Sequence, residues 1–169
     1  MTMTISTMTM MISEGGLRFA SEIDLDGIAE VENRAFGEHA YDFVTLKYMV
    51  TEANSVTIVF DLKGRILGYA TVYFRKNSRV AHLESIAVDP SLQGKGVGKL
   101  LLDEIEKISV LNDCNRIILE TFEMNKSALS LYQKSGYVVR DVLVNYYTIP
   151  FDGSRNAIRL VKKLKNNLE

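Results

Sequence analysis

Ile86-Ala87-Val88-Asp89-Pro90-Ser91-Leu92-Gln93-Gly94-Lys95-Gly96-Val97-Gly98-Lys99 joins a strand to a helix through a glycine-rich turn. Val80–Val88 alternates as a strand does and puts His82, Glu84, Ile86 and Val88 on one face. Asp89-Pro90 ends it. From Gly98 to Val110, Leu101, Ile105 and Ile108 recur on one side of an amphipathic helix. A helix N-terminus offers N–H groups without intrahelical partners and the positive end of the dipole. Gly94, Gly96 and Gly98 let the backbone approach a ligand's phosphates, and Lys95 and Lys99 add positive charge. The turn reads as a pyrophosphate cradle. It is neither of the two commonest ones. A P-loop needs glycine where Gln93 stands and Ser or Thr where Leu100 stands, and a dinucleotide fingerprint starting at Gly94 needs glycine where Lys99 stands.

Outward from this turn, strands and helices alternate. Leu17–Ala20, Ser55–Phe60, Ile66–Phe74, Ile117–Thr121, Val138–Thr148 and Ala157–Val161 read as further strands. Ile23–Phe36, with Ile28, Val31 and Ala35 at helical spacing, and Phe43–Glu52 read as helices. Asn125 caps a last helix running to about Lys134, which Gly136 ends. Strands dominate the middle of the chain and helices join some of them, the pattern of a mixed α/β sheet.

Composition narrows the function. With 169 residues, a net charge of −1 and 47% apolar residues, the chain suits one soluble domain and no nucleic-acid partner. Cys114, the single cysteine, excludes an internal disulfide and a thiolate metal cluster. It reads as a packing residue, and no metal site is expected. No apolar run approaches the ~20 residues that span a bilayer. The Met-rich residues 1–13 lack the basic and apolar regions of a secretory signal. They read as a disordered leader before a single domain at 14–169, and the cytoplasm is the expected location.

Gln93-x-x-Gly96-x-Gly98 is similar to the Q/R-x-x-G-x-G/A signature of the GCN5-related N-acetyltransferases (GNAT). Ile86-Ala87-Val88-Asp89-Pro90 and Asn125…Ala128…Leu131-Tyr132…Gly136-Tyr137 resemble that family too. The resemblance spans roughly Ile28 to Val161. It implies the GNAT fold, a mixed, mostly antiparallel sheet of about seven strands with about four helices, and acetyl-CoA as cofactor. It further implies that Ile86, Ala87 and Val88 bond the pantetheine arm through their backbone. Gln93, Gly94, Lys95, Gly96, Val97, Gly98 and Lys99 would hold the pyrophosphate, and Asn125 would contact the cofactor. A splay between the Val80–Val88 and Ile117–Thr121 strands would admit the thioester.

Acetyl transfer to an amine needs a neutral amine, donors for the developing oxyanion and a proton for the leaving thiolate. Backbone N–H groups near Ala87 and Val88 suit the second need. Glu120, ending a buried strand, is the candidate base, since a carboxylate there is costly unless partnered or used. Tyr132 is the candidate acid, although a phenol at ~10 donates slightly uphill to a thiolate at ~8.5. His82 is a second base candidate, and water would relay the proton to Glu120 and His82 together. Glu120-Thr121…Asn125…Tyr132 resembles the arrangement of RimI-type and archaeal protein N-terminal acetyltransferases. By that resemblance Tyr146 and Tyr147 line the acceptor groove, and the Phe36–Asp42 loop, with Phe36, Glu38 and Tyr41, forms its opposite wall. The acceptor is then the α-amine of a protein N-terminus. At pH 7 an α-amine of pKa ~8 is about 10% neutral and a lysine of ~10.4 only about 0.04%. An enzyme for small amines or lysines, and a silent acyl-CoA-binding module, are the alternatives.

Overall fold

β-Branched and aromatic residues build the sheet and apolar stripes place the helices against it. The computed structural model describes residues 14–165, so the leader expected at 1–13 lies outside them. The strands are β1 (Gly16–Phe19), β2 (Ser55–Leu62), β3 (Arg65–Phe74), β4 (Val80–Val88), β5 (Arg116–Phe122), β6 (Val138–Leu143) and β7 (Ala157–Lys163). The helices are α1 (Leu25–Phe36), α2 (Phe43–Thr51), α3 (Val97–Leu111) and α4 (Lys126–Lys134). The strand order is β1-β2-β3-β4-β5-β7-β6. β4 and β5 run parallel, whereas the β1–β2, β5–β7 and β6–β7 pairs are antiparallel. This is the mixed, mostly antiparallel sheet with four helices that the sequence led us to expect.

The chain divides into two compact units, which β3 and β4 both run through. The first comprises the residues up to Thr71 and Ser85–Ile105. In it Ile66–Thr71 are buried without a break, so both faces of β3 are covered. A Cβ on Gly27 of α1 would stand 2.8 Å from Ile66 Cγ1, and one on Gly68 of β3 would stand 3.2 Å from Leu101 Cδ1 of α3. Glycine is what lets these helices approach so closely. Val97, Leu101, Leu102 and Ile105 of α3 are fully buried, each contributing roughly 1.5–3 kcal/mol by leaving water.

The second unit comprises Val72–Glu84 and the residues from Glu106 onward. The β4–β5 ladder covers Val80↔Arg116, Ala81↔Ile117 and His82↔Ile118, and β5 continues past its end to Phe122. β7 pairs with β5 along its length, which sets Glu120 opposite Arg159. Ile117, Leu119 and Thr121 are buried, while Ile118, Glu120 and Phe122 on the other face are half-buried. One expectation needs correction. The strand read over Val138–Thr148 stops at Leu143, because Asn145 takes a left-handed φ of 53° and the β6–β7 ladder has ended. Tyr146 and Tyr147 therefore sit in a turn-rich loop and not on a strand.

Candidate active site

The glycine-rich turn is shaped by bonds of its own and by one from α1. Asp89 Oδ1 accepts from Ser91 N (3.0 Å) and Ser91 Oγ (2.6 Å), and its Oδ2 accepts from Arg34 Nη1 of α1 (2.9 Å). Burial pushes the Asp89 carboxyl up, but the bonds from Ser91 and Arg34 outweigh it and hold the group below the ordinary carboxylate range. Gln93 Nε2 donates to Val88 O (3.3 Å), folding the turn back on its strand. Gly94 and Gly96 take φ of 72° and 92°, the left-handed region that favours glycine. Among the described residues, nothing lies within 4 Å of a Cβ built on either. Leu100 N–H bonds Gly96 O (3.0 Å), the first α-helical bond of α3, so the N–H groups of Val97, Gly98 and Lys99 precede the intrahelical ladder. Lys95 is exposed, and Lys99 pairs with Asp103. An open, glycine-lined helix N-terminus with two cations suits a pyrophosphate.

A second cluster lies in the other unit. Strand alternation puts His82 and Glu84 of β4 and Glu120 of β5 on half-buried positions, and the β5–β7 register adds Arg159. His82 Nε2 stands 2.6 Å from Glu120 Oε2, and Arg159 Nε donates to Glu120 Oε1 at 2.7 Å. The Glu120 side chain is only 8% exposed. Burial pushes its carboxyl up, yet the bonds from His82 and Arg159 prevail and hold it below its ordinary value. An ionised carboxylate can only accept, so the His82 proton belongs on Nε2. His82 Nδ1 is then 3.5 Å from Glu84 Oε2.

Tyr132 of α4 is 7% exposed, and burial pushes its phenol up. Its ring meets Tyr137 edge-on at 5.7 Å. Asn125 caps α4 as expected, its Oδ1 accepting from Ala128 N (3.1 Å). Cys114 is buried and its thiol pushed up by that burial, fitting the packing role expected of it. Tyr147 stacks on Phe122 (3.7 Å between centroids) and meets Tyr146 edge-on at 5.0 Å. Both phenols are pushed up, chiefly by burial and then by charges that include Glu120 and Glu84. Phe36, Glu38 and Tyr41 belong to the first unit: Phe36 ends α1, Glu38 is exposed, and the Tyr41 N–H bonds the buried Glu32.

The structure thus joins His82 to Glu120 and adds two groups to the candidates. Glu84 was visible as the alternation partner of His82. Arg159 was not, because its pairing depends on a register 39 residues away in sequence. Phe122 and Phe151, which stack at 5.1 Å, were also missed as supports of the tyrosine loop.

Residues 25–137 match the acetyltransferase (GNAT) family. An uncharacterized N-acetyltransferase of Methanocaldococcus jannaschii is 29% identical over 89% of this chain and 92% of its own length. N-alpha-acetyltransferase 30 of Xenopus laevis is 28% identical over 82% of this chain, which spans 52% of that relative. The crystal structure of the ribosomal-protein-S18-alanine N-acetyltransferase from Escherichia coli superposes with a TM-score of 0.80 at 23% identity, over 92% of this chain and 99% of that one, and has the same fold.

Proposed function

Because this chain belongs to the GNAT acetyltransferase family, we propose that it transfers an acetyl group from acetyl-CoA to the α-amine of a protein N-terminus, by direct attack in a ternary complex. The observation that carries the reading is the His82–Glu120–Arg159 cluster, with Tyr146 and Tyr147 under the influence of the same carboxylate. The relatives whose names specify α-amine acetylation point the same way.

Acetyl-CoA, when bound, supplies an acyl group activated as a thioester. The open N-terminus of α3 fits its pyrophosphate, with the N–H groups of Val97, Gly98 and Lys99 as donors. Ile86, Ala87 and Val88 would hold the pantetheine arm through their backbone, and the Asn125 amide, its oxygen engaged by the helix cap, has its N–H donors to offer. Gln93 shapes the turn through Val88 O.

Glu120, fixed by Arg159, orients the imidazole of His82 with its proton on Nε2, as a carboxylate orients the base of a hydrolase triad. The lone pair then sits on Nδ1. The attacking amine gives its proton to Nδ1, directly or through a water, and the imidazolium lies between Glu120 and Glu84. His82 is the proton acceptor in this arrangement. Glu120, held ionised below its ordinary range, is a weak base and a strong orienting group. Tyr132 is the donor that the resemblance implies; burial pushes its phenol up, which makes donation to the thiolate more uphill than it is for a free phenol.

The test pairs a free-amine peptide with the same peptide N-terminally blocked and carrying an internal lysine, each assayed for acetyl-CoA-dependent thiol release. The free amine should turn over faster. Faster turnover of the blocked peptide makes this a lysine acetyltransferase, turnover of polyamines alone makes it a small-molecule enzyme, and binding of acetyl-CoA without any turnover makes it a binding module.

A further inference from the structure

Glu32 of α1 is 1% exposed and forms no ion pair with Lys, Arg or His among the described residues. A carboxylate so buried is costly unless its oxygens are satisfied. Both are. Oε1 accepts from the backbone N–H of Tyr41 at 2.9 Å, and Oε2 accepts from the Tyr69 hydroxyl of β3 at 2.7 Å. The Tyr69 oxygen is in turn 3.2 Å from Ser85 Oγ of β4. Tyr69 has one proton, which the carboxylate claims, so the Ser85 hydroxyl donates to Tyr69. Burial pushes the Glu32 carboxyl up, against the two bonds it accepts, and the Tyr69 phenol is pushed up with it.

What this relay holds is the connection between α1 and α2. Gly37 leaves α1 with a φ of 55°, and residues 37–39 make a single 3-10 turn closed by Ala40 N to Gly37 O (3.1 Å). Asp42 caps α2, its Oδ1 accepting from Thr45 N (2.7 Å). Between that turn and that cap, the Tyr41 N–H is tied to the core by the Glu32 carboxylate. Glu32 connects the loop through Tyr69 to Ser85, which lies on the strand that also carries Ile86–Val88.

We infer that Glu32 is a positioning residue for the acceptor, fixing the Gly37–Asp42 loop through the Tyr41 amide so that acceptor affinity, and not acetyl-CoA affinity, depends on it. The inference rests on the reading of this loop as an acceptor wall. Its energetic basis is that a charge-assisted bond to a backbone N–H costs the loop its geometry when lost, while the cofactor turn at Gly94–Lys99 keeps its own internal bonds.

The test compares Tyr41→Pro with Tyr41→Ala. Both remove the phenol, and only proline removes the amide donor. Ala40, at φ −65° and ψ 143°, already has the extended backbone a following proline demands. Tyr41→Pro should raise the acceptor KM tenfold or more over Tyr41→Ala, with acetyl-CoA Kd in the two variants within about twofold. Glu32→Gln, which keeps an acceptor for the amide, should stay within about threefold of the wild type. Amide exchange in the free wild-type protein gives a readout independent of turnover: the Tyr41 N–H should be protected, and in Glu32→Ala it should exchange at least tenfold faster. Equal acceptor KM in the two Tyr41 variants, parallel rises in both substrates' constants, or an unprotected Tyr41 amide would each overturn the inference. The acceptor used is whichever amine the wild type turns over. A polyamine-specific enzyme with a protected Tyr41 would therefore refute the peptide reading and leave this relay standing.

Discussion

Adding a methyl group at Gly96 separates the cost of a left-handed backbone from the cost of a damaged phosphate cradle. The residue sits at φ 92°, where an L-residue is strained by about 1–2 kcal/mol. A Cβ there meets nothing within 4 Å among the described residues, so no clash with them adds to that strain. For a chain of this size each kcal/mol moves Tm by about 2–4 °C, so Gly96→Ala should melt about 2–8 °C lower. Gly64, in the turn between β2 and β3, provides the matched control: its φ is 83° and its Cβ position is equally empty. Gly64→Ala should lose a similar amount of Tm.

The two variants should part company on acetyl-CoA. If the empty space over Gly96 is where the pyrophosphate lies, a methyl group there forfeits at least one charge-assisted hydrogen bond, about 1.5–3 kcal/mol. That is about a tenfold to hundredfold weaker Kd. Gly96→Asp, which adds a negative charge, should be weaker still. Calorimetry with acetyl-CoA on folded protein measures all three. Gly64→Ala should bind as the wild type does. Unchanged affinity in folded Gly96→Ala, or an equal loss in Gly64→Ala, would refute the assignment of the cradle.

The catalytic cluster makes two further predictions. His82→Ala should lower kcat by about 10²–10⁴-fold, the usual worth of a proton-transfer group, and Glu120→Gln, which takes the orienting carboxylate from the imidazole, by up to about 10⁴-fold; near-native kcat in both would move the chemistry elsewhere. Asp89, with its carboxyl held low in the folded state, binds fewer protons folded than unfolded, so its contribution is present above the ordinary carboxylate range and lost as pH falls through its depressed folded value. The stability advantage of wild type over Asp89→Asn in denaturant melts should therefore shrink from pH 6 to pH 3, and an advantage that grows on acidification would contradict the assigned direction.

How much of this was legible in the chain depended on the range of the interaction. Local rules worked. The alternation of Val80–Val88 put Ala81, Leu83, Ser85 and Ala87 inside and left His82, Glu84, Ile86 and Val88 half-exposed. The α3 stripe of Leu101, Ile105 and Ile108 is buried as read. The glycine turn was legible because positive φ is something the residue type itself advertises. The overlong sixth strand shows the limit. Val138–Thr148 keeps β-forming residues past Leu143, but propensity cannot tell whether a ladder partner is present. Glu32 was overlooked although a signal existed. It stands four residues after Ile28, on the stripe with Val31 and Ala35, and a charge on an apolar stripe announces buried partners.

Arg159 belongs to neither group, and it changes the chemistry assigned to Glu120. Read alone, a carboxylate ending a buried strand looks like a base whose proton affinity burial has raised. The β5–β7 register puts a guanidinium against one of its oxygens and leaves the other to His82, so the balance tips toward the ionised form. A carboxylate stabilised in that way gains little from taking a proton, and the imidazole it orients becomes the better acceptor. Arg159→Gln removes the guanidinium while His82 stays. Burial then acts with less opposition, so the Glu120 carboxyl should titrate higher than in the wild type, as carbon-detected NMR of the labelled carboxylate would register. If the titration of Glu120 does not move, Arg159 is a bystander, and His82 alone holds the carboxylate ionised.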